Sequence, residues 1–124
     1  SHLLSDIKKN FLFFFNLINP GGYYVIEDFN QPKYYEGAND LKKNEQLIDD
    51  FLVSLQNKKI FNSQISNFNS NNKIFNEIYK IDKYKGNMKL TKEMMIAQDG
   101  LISEKKINQM LNINVSDIVF IQKK

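Results

Sequence analysis

Asn19-Pro20-Gly21-Gly22-Tyr23-Tyr24-Val25-Ile26-Glu27-Asp28 reads as a helix stop, a strand, and two adjacent carboxylates where that strand ends. Proline disfavours the helical region for the residue before it, so a helix that reaches Asn19 must stop there, and Gly21-Gly22 permits the sharp reversal that follows. Tyr23 to Glu27 shows no polar–apolar alternation, which predicts a buried strand covered on both faces. Ligands of open α/β sheets bind outside the carboxyl ends of strands, and this makes Glu27 and Asp28 candidates for chemistry.

Upstream of this stretch, Leu3, Leu4, Ile7, Phe11, Phe14, Phe15 and Ile18 recur at helical spacing, with Lys8, Lys9 and Asn16 mostly on the other side. The spacing predicts a first helix over 3–18, its phenylalanine stripe facing the core. Downstream, Phe29 to Gly37 is polar and turn-rich but carries three aromatics, a composition common in loops that line a site. Leu41, Leu47, Ile48, Phe51, Leu52 and Leu55 predict a second helix over about 41–57, with Asp40 as its N-cap. An Asn- and Ser-rich connection over 62–73 precedes a segment, Lys73 to Lys85, whose alternation predicts a strand.

Lys85-Gly86-Asn87 is a turn signal. Two short helices follow, one over Thr91 to Ile96 and one over Ser103 to Leu111 with Ser103 as its cap. The chain closes on Ser116-Asp117-Ile118-Val119-Phe120-Ile121-Gln122-Lys123, a buried final strand flanked by charge. The order of helix, strand, helix, strand, short helices and strand, without an internal repeat, predicts one α/β domain over 1–124.

Composition agrees with a folded domain: 124 residues are 42% hydrophobic, 13% aromatic and 25% charged, above what a disordered chain carries. The net charge of +3 is spread over seventeen lysines with no arginine to make bidentate phosphate or guanine contacts, so nucleic acid is not expected as a partner. The bias toward Asn, Lys and Ile points to an AT-rich bacterial genome. No cysteine is present, which excludes disulfides, thiolate metal sites and cysteine nucleophiles and leaves a reducing cytoplasm as the default compartment. The apolar run Phe11 to Phe15 is too short to span a bilayer, and no membrane association is expected.

Ser1-His2 before the first helix, the Pro-Gly-Gly turn leading into a strand that ends in Glu27-Asp28, and the terminal Asp117-Ile118-Val119-Phe120-Ile121 together resemble the second half of a class I methyltransferase dependent on S-adenosylmethionine. The nearest groups are the metal-dependent macrolide-sugar and rhamnosyl O-methyltransferases and their cephalosporin hydroxylase-like relatives. The resemblance covers most of 1–36 and the last strands, with 88–115 as a helical insertion. It implies a partial Rossmann-like sheet of about three strands with flanking helices, the last two strands antiparallel.

It also implies that Glu27 and Asp28 are magnesium ligands and that His2 is the general base that takes the proton of a sugar-like hydroxyl. Magnesium commonly uses one or two carboxylates plus substrate oxygens and lowers the pKa of a bound hydroxyl. Tyr34 and Tyr35 are candidates to stack on the acceptor. The glycine-rich loop and ribose-binding acid of the family are missing from these residues, so no cofactor-binding residue is assigned and methyl transfer is not expected from them alone. Other readings stay open: Glu27-Asp28 as a solvated strand end, His2 as a cloning remnant or frayed terminus, and the chain as a non-catalytic module that forms homo-oligomers through the exposed edge of its first strand.

Overall fold

The computed structural model describes residues 2–41, 44–59, 63, 65, 68–100 and 102–124, with the backbone alone for 68–71, 98 and 99. Ser1, Lys42-Lys43 and most of the first half of the expected 62–73 connection lie outside the described residues. The chain is a mixture of helix and strand built on a three-stranded antiparallel sheet flanked by helices.

Helix α1 (Leu4–Phe14) ends in a 3-10 turn (Phe15–Leu17), close to the predicted limits, and Leu4, Ile7, Phe11 and Phe15 are buried along one face. Gly21 takes φ +81°, a left-handed conformation that costs glycine nothing, and the turn is pinned by hydrogen bonds between Gly21, Gly22 and Lys123. The Lys123 ammonium donates to the carbonyls of Phe15 and Asn16, placing a cation at the carboxyl end of the helical segment. Strand β1 (Tyr23–Glu27) follows.

After a short helix α2 (Gln31–Tyr34) and a 3-10 turn (Glu36–Ala38) comes α3 (Ile48–Gln56), shorter than predicted, with Ile48, Phe51, Leu52 and Leu55 buried at helical spacing. Asp40 does not cap it; Leu47 holds that position. The Asp40 carboxylate instead accepts from the Ser5 hydroxyl and, at 3.0 Å, from the Ser5 N–H, so it satisfies one of the unpaired donors in the first turn of α1. Burial would raise the Asp40 pKa, but the Ser5 bonds and nearby Lys9 hold it below the usual carboxylate range.

Helix α4 (Phe68–Glu77) occupies what was expected to be connection and the start of a strand, with Ile74 and Phe75 meeting the core from its last turn and Ile78 following them at the start of the next strand. Strand β2 (Ile78–Tyr84) then begins five residues later than the alternation suggested. Strands β3 (Met88–Lys89) and β4 (Asn114–Val115) pair with each other and bracket α5 (Lys92–Asp99) and α6 (Glu104–Met110), whose caps Thr91 and Ser103 accept from Met94 N and Lys106 N. This segment packs its own small core, Leu90, Met95 and Val115, onto Tyr34, Tyr35 and Ala38.

Strand β5 (Ile118–Lys123) runs in the middle of the main sheet, antiparallel to β1 on one side and to β2 on the other. Val119 and Ile121 are fully buried beneath α1, α3 and α4, together with Ile26. The opposite face stays open. Tyr23 and Val25 remain 49% and 42% exposed there, with Phe120 between the rings of Tyr23 and Tyr84. The uniform apolarity of β1 had predicted cover on both faces; the helices cover only one.

Lys8 is a second departure from the expected pattern. It lies on the buried face of α1, 1% exposed, where its ammonium donates to Glu45 Oε1 at 2.8 Å and sits 5.4 Å from the Phe51 ring centroid. Burial pulls its pKa below the ordinary lysine value, and the Glu45 carboxylate only partly restores it. No described helix is long and apolar enough to cross a membrane.

Candidate functional site

Because β1 and β2 both run antiparallel to β5, they are parallel to each other, and their carboxyl ends lie at one edge of the sheet. The register fixes this: Ile118, the first residue of β5, stands opposite Glu27 on one side and Tyr84 on the other. Three connections therefore meet: the one leaving β1 at Asp28, the one leaving β2 at Lys85, and the one entering β5 at Asp117.

Asp117, 3% exposed, joins them. Its carboxylate accepts from the Gly86 N–H at 2.8 Å, from Asn30 Nδ2 at 2.8 Å and from Lys85 Nζ at 3.1 Å. Burial alone would raise its pKa; the bonds from Gly86, Asn30 and Lys85, with the lysine charge, hold it below the usual carboxylate range. Lys85 also reaches the Tyr34 hydroxyl at 3.5 Å, and these oxygens keep its ammonium above its usual pKa against a partial burial that would lower it. Gly86 is required for this approach, since a Cβ there would stand 1.7 Å from the Val115 carbonyl oxygen.

His2 and Asp28 come together, with His2 Nε2 3.6 Å from Asp28 Oδ2. Asp28 has φ +50°, a left-handed turn out of the strand that carries it into a cavity of about 60 Å³, where Asn30, Gln31, Tyr34 and Asp117 also form walls. Glu27 is exposed and, by strand alternation, continues the open face of Tyr23 and Val25. Among the described residues no three histidine, aspartate or glutamate side chains converge as a metal cluster, so His2, Glu27 and Asp28 do not form a three-donor group.

Tyr34 and Tyr35 are not free loop aromatics. Both are at least 95% buried in the small core under α5, and they border the cavity from within it. Asn30, Lys85 and Asp117 were not singled out as site residues in the sequence. One signal was available for Asp117: an acid immediately before an apolar central strand has either to face water or to be satisfied by buried donors. Nothing local marks Asn30, which becomes a partner of Asp117 only across 87 positions of chain.

No family model matches the chain, and neither a curated protein nor a solved structure is significantly similar to it.

Proposed function

We propose that these residues form the acceptor and metal side of a magnesium-dependent O-methyltransferase acting on a sugar-like or other small-molecule hydroxyl, with the cofactor held by residues outside them. The observation that carries this reading is the His2–Asp28 contact at the carboxyl end of β1. The antiparallel β2–β5 pair, which the resemblance implies, supports it as well. A carboxylate at a strand end offers the hard oxygen donor magnesium prefers, so Asp28, which lines the cavity, fits the ion in chemistry, while Glu27 faces the open side of the sheet.

Bound S-adenosylmethionine would supply the methyl group, and bound magnesium would lower the pKa of the acceptor hydroxyl. His2 turns Nε2 toward Asp28, which leaves Nδ1 to receive the hydroxyl proton. With the hydroxyl proton on His2, the methyl group would pass to the acceptor oxygen as its bond to the cofactor sulfur breaks. Calorimetric titration with magnesium is expected to show saturable millimolar binding that Asp28→Asn abolishes. Absence of binding, or an unchanged affinity in Asp28→Asn, overturns the reading.

A second reading, self-association through β1, is favoured by the contrast between the two sheet edges. The β2 edge carries Lys80, Asp82 and Lys83, charges of the kind that discourage edge pairing. The β1 edge, Tyr23 to Glu27, has one charge at its end and no proline. Antiparallel pairing of two copies about Val25 would set Tyr23 opposite Glu27 and leave no like charges facing. Light scattering on a sizing column is then expected to give twice the 14.6 kDa chain mass at micromolar concentration, and Val25→Lys is expected to give the monomer. A wild-type monomer under those conditions refutes it.

A further inference from the structure

We propose that the end of the molecule formed by Phe13 to Tyr23 docks on an anionic membrane surface, with Phe13, Phe14 and Leu17 entering the lipid interface. Helical spacing assigns Phe11, Phe14 and Phe15 alike to the core, but the structure divides the phenylalanines of α1. Phe11 and Phe15 are buried, whereas Phe13, Phe14 and Leu17 are 63%, 48% and 68% exposed. The Phe13 and Phe14 rings stack edge to face, their centroids 5.0 Å apart. Leu17 follows in the 3-10 turn, and Pro20 and Gly21 beyond it are exposed as well. An apolar projection of this kind binds at a bilayer interface without crossing it, so the shortness of the apolar run is no obstacle.

Two features suit this end to lipid. No charged residue occurs between Lys9 and Glu27, so immersing the segment strips no ion of its own of water. The backbone is prepared too. The last carbonyls of a helix need donors, and a bilayer supplies none. Here the chain itself supplies them: Asn16 Nδ2 donates to the Leu12 carbonyl at 2.8 Å, Lys123 Nζ to those of Phe15 at 3.4 Å and Asn16 at 3.0 Å, and the Gly22 N–H to that of Asn19 at 2.9 Å. The flanking charge selects the headgroup. Lys9 stands four positions before Phe13 on the same side of α1, and Lys124, next to the anchored Lys123, is exposed. Lysines beside an apolar projection attract anionic lipid, and the acids near them are engaged, Asp40 by Ser5 and Glu77 by Lys123 at 3.9 Å. The patch leads into the start of β1 while Asp28 follows its end, so this inference does not rest on the methyltransferase reading.

The test is sedimentation of the full chain with vesicles of phosphatidylcholine alone and of equal parts phosphatidylcholine and phosphatidylglycerol. Binding to the mixed vesicles is expected to be about tenfold stronger or more, and to weaken as salt is raised. Phe13→Ser combined with Leu17→Ser, both at exposed positions, is expected to weaken it by about tenfold or more. The chain has no tryptophan, so Phe13→Trp gives a single emitter whose fluorescence is expected to shift to the blue on the mixed vesicles. This reading needs no loss of side chain and stays decisive if the double variant does not fold. No binding to the mixed vesicles, equal binding to both kinds, or binding unchanged in the double variant overturns the proposal. A blue shift that grows with protein concentration in the absence of lipid overturns it as well, and gives the patch to a second copy of the chain.

Discussion

Asp117→Ala is expected to lower the stability of the fold by about 3 kcal/mol at neutral pH, read as a fall of about 10 °C in Tm. The carboxylate holds two buried donors, Gly86 N and Asn30 Nδ2, and a bond from a charged group to such a donor contributes about 1.5–3 kcal/mol. Lys85 adds little to this figure, because its side chain is 60% exposed and returns to water when Asp117 is removed. The loss also loosens three connections at once, so the cavity beside Asn30 loses its shape along with the stability.

The pH dependence follows from the direction of the Asp117 shift. A carboxyl whose folded pKa lies below its unfolded value of about 3.9 contributes stability that is present above that value and lost as pH falls through the folded pKa. Thermal melts of wild type and Asp117→Ala are therefore expected to stay apart above about pH 5 and to draw together as pH falls below about 4. A gap that is under about 1 kcal/mol at neutral pH, or that persists undiminished into acid, contradicts the assignment of Asp117 as the hub.

The second large effect is expected at Lys8. Lys8→Ala removes the ammonium held 2.8 Å from the buried Glu45 carboxylate, a change that costs about 3–5 kcal/mol and approaches the whole stability of a small domain. The Ser63 hydroxyl also donates to Glu45 Oε1, at 2.7 Å, but a neutral donor does not replace the ammonium beside a buried carboxylate. Lys8→Met combined with Glu45→Gln removes both charges, keeps an acceptor for Ser63 and fills the volume of the lysine stem. The double variant is expected within about 1 kcal/mol of wild type by urea unfolding, giving a coupling energy of about 3 kcal/mol. A double variant no more stable than Lys8→Ala would mean that the Lys8–Glu45 pair itself stabilises the fold, rather than merely avoiding an uncompensated buried charge.

Parts of the chain with strong local signals were legible without a structure. The stop at Asn19-Pro20, the reversal at Gly21 and the strand Tyr23–Glu27 follow from steric rules that act on neighbouring residues. The cap Ser103 depends on a donor three positions away and so was written in the local sequence too, while Thr91, read as the first residue of its helix, proved to be the cap just before it. The residues Ile74, Phe75 and Ile78 were ambiguous, because a short apolar set fits both periods. Packing against the core resolved them as the end of a helix and the start of a strand.

Candidate site residues divided along the same line. Asp28 was legible as a candidate from its place at a strand end, whereas its contact with His2 is a product of the fold. The inward turn of Asp28 away from Glu27 comes from a single left-handed residue that no sequence period announces. Lys8 and Asp40 were misassigned for a related reason: a lysine or an aspartate is solvated by default, and its burial is decided by a partner 37 or 35 positions away.

By itself the sequence determined the helix, turn and strand around residues 19–28, the central apolar character of 118–123, and the absence of cysteine chemistry. These are properties of neighbouring dihedral angles, hydrophobic spacing and residue type. Only the tertiary structure decided that β5 lies between β1 and β2, that one face of the sheet stays open, and that Asp117 gathers Asn30, Lys85 and Gly86 into one polar cluster. Those outcomes depend on which distant strands pair and in what register. The free energy of a buried carboxylate depends on donors that the fold brings to it across the whole length of the chain.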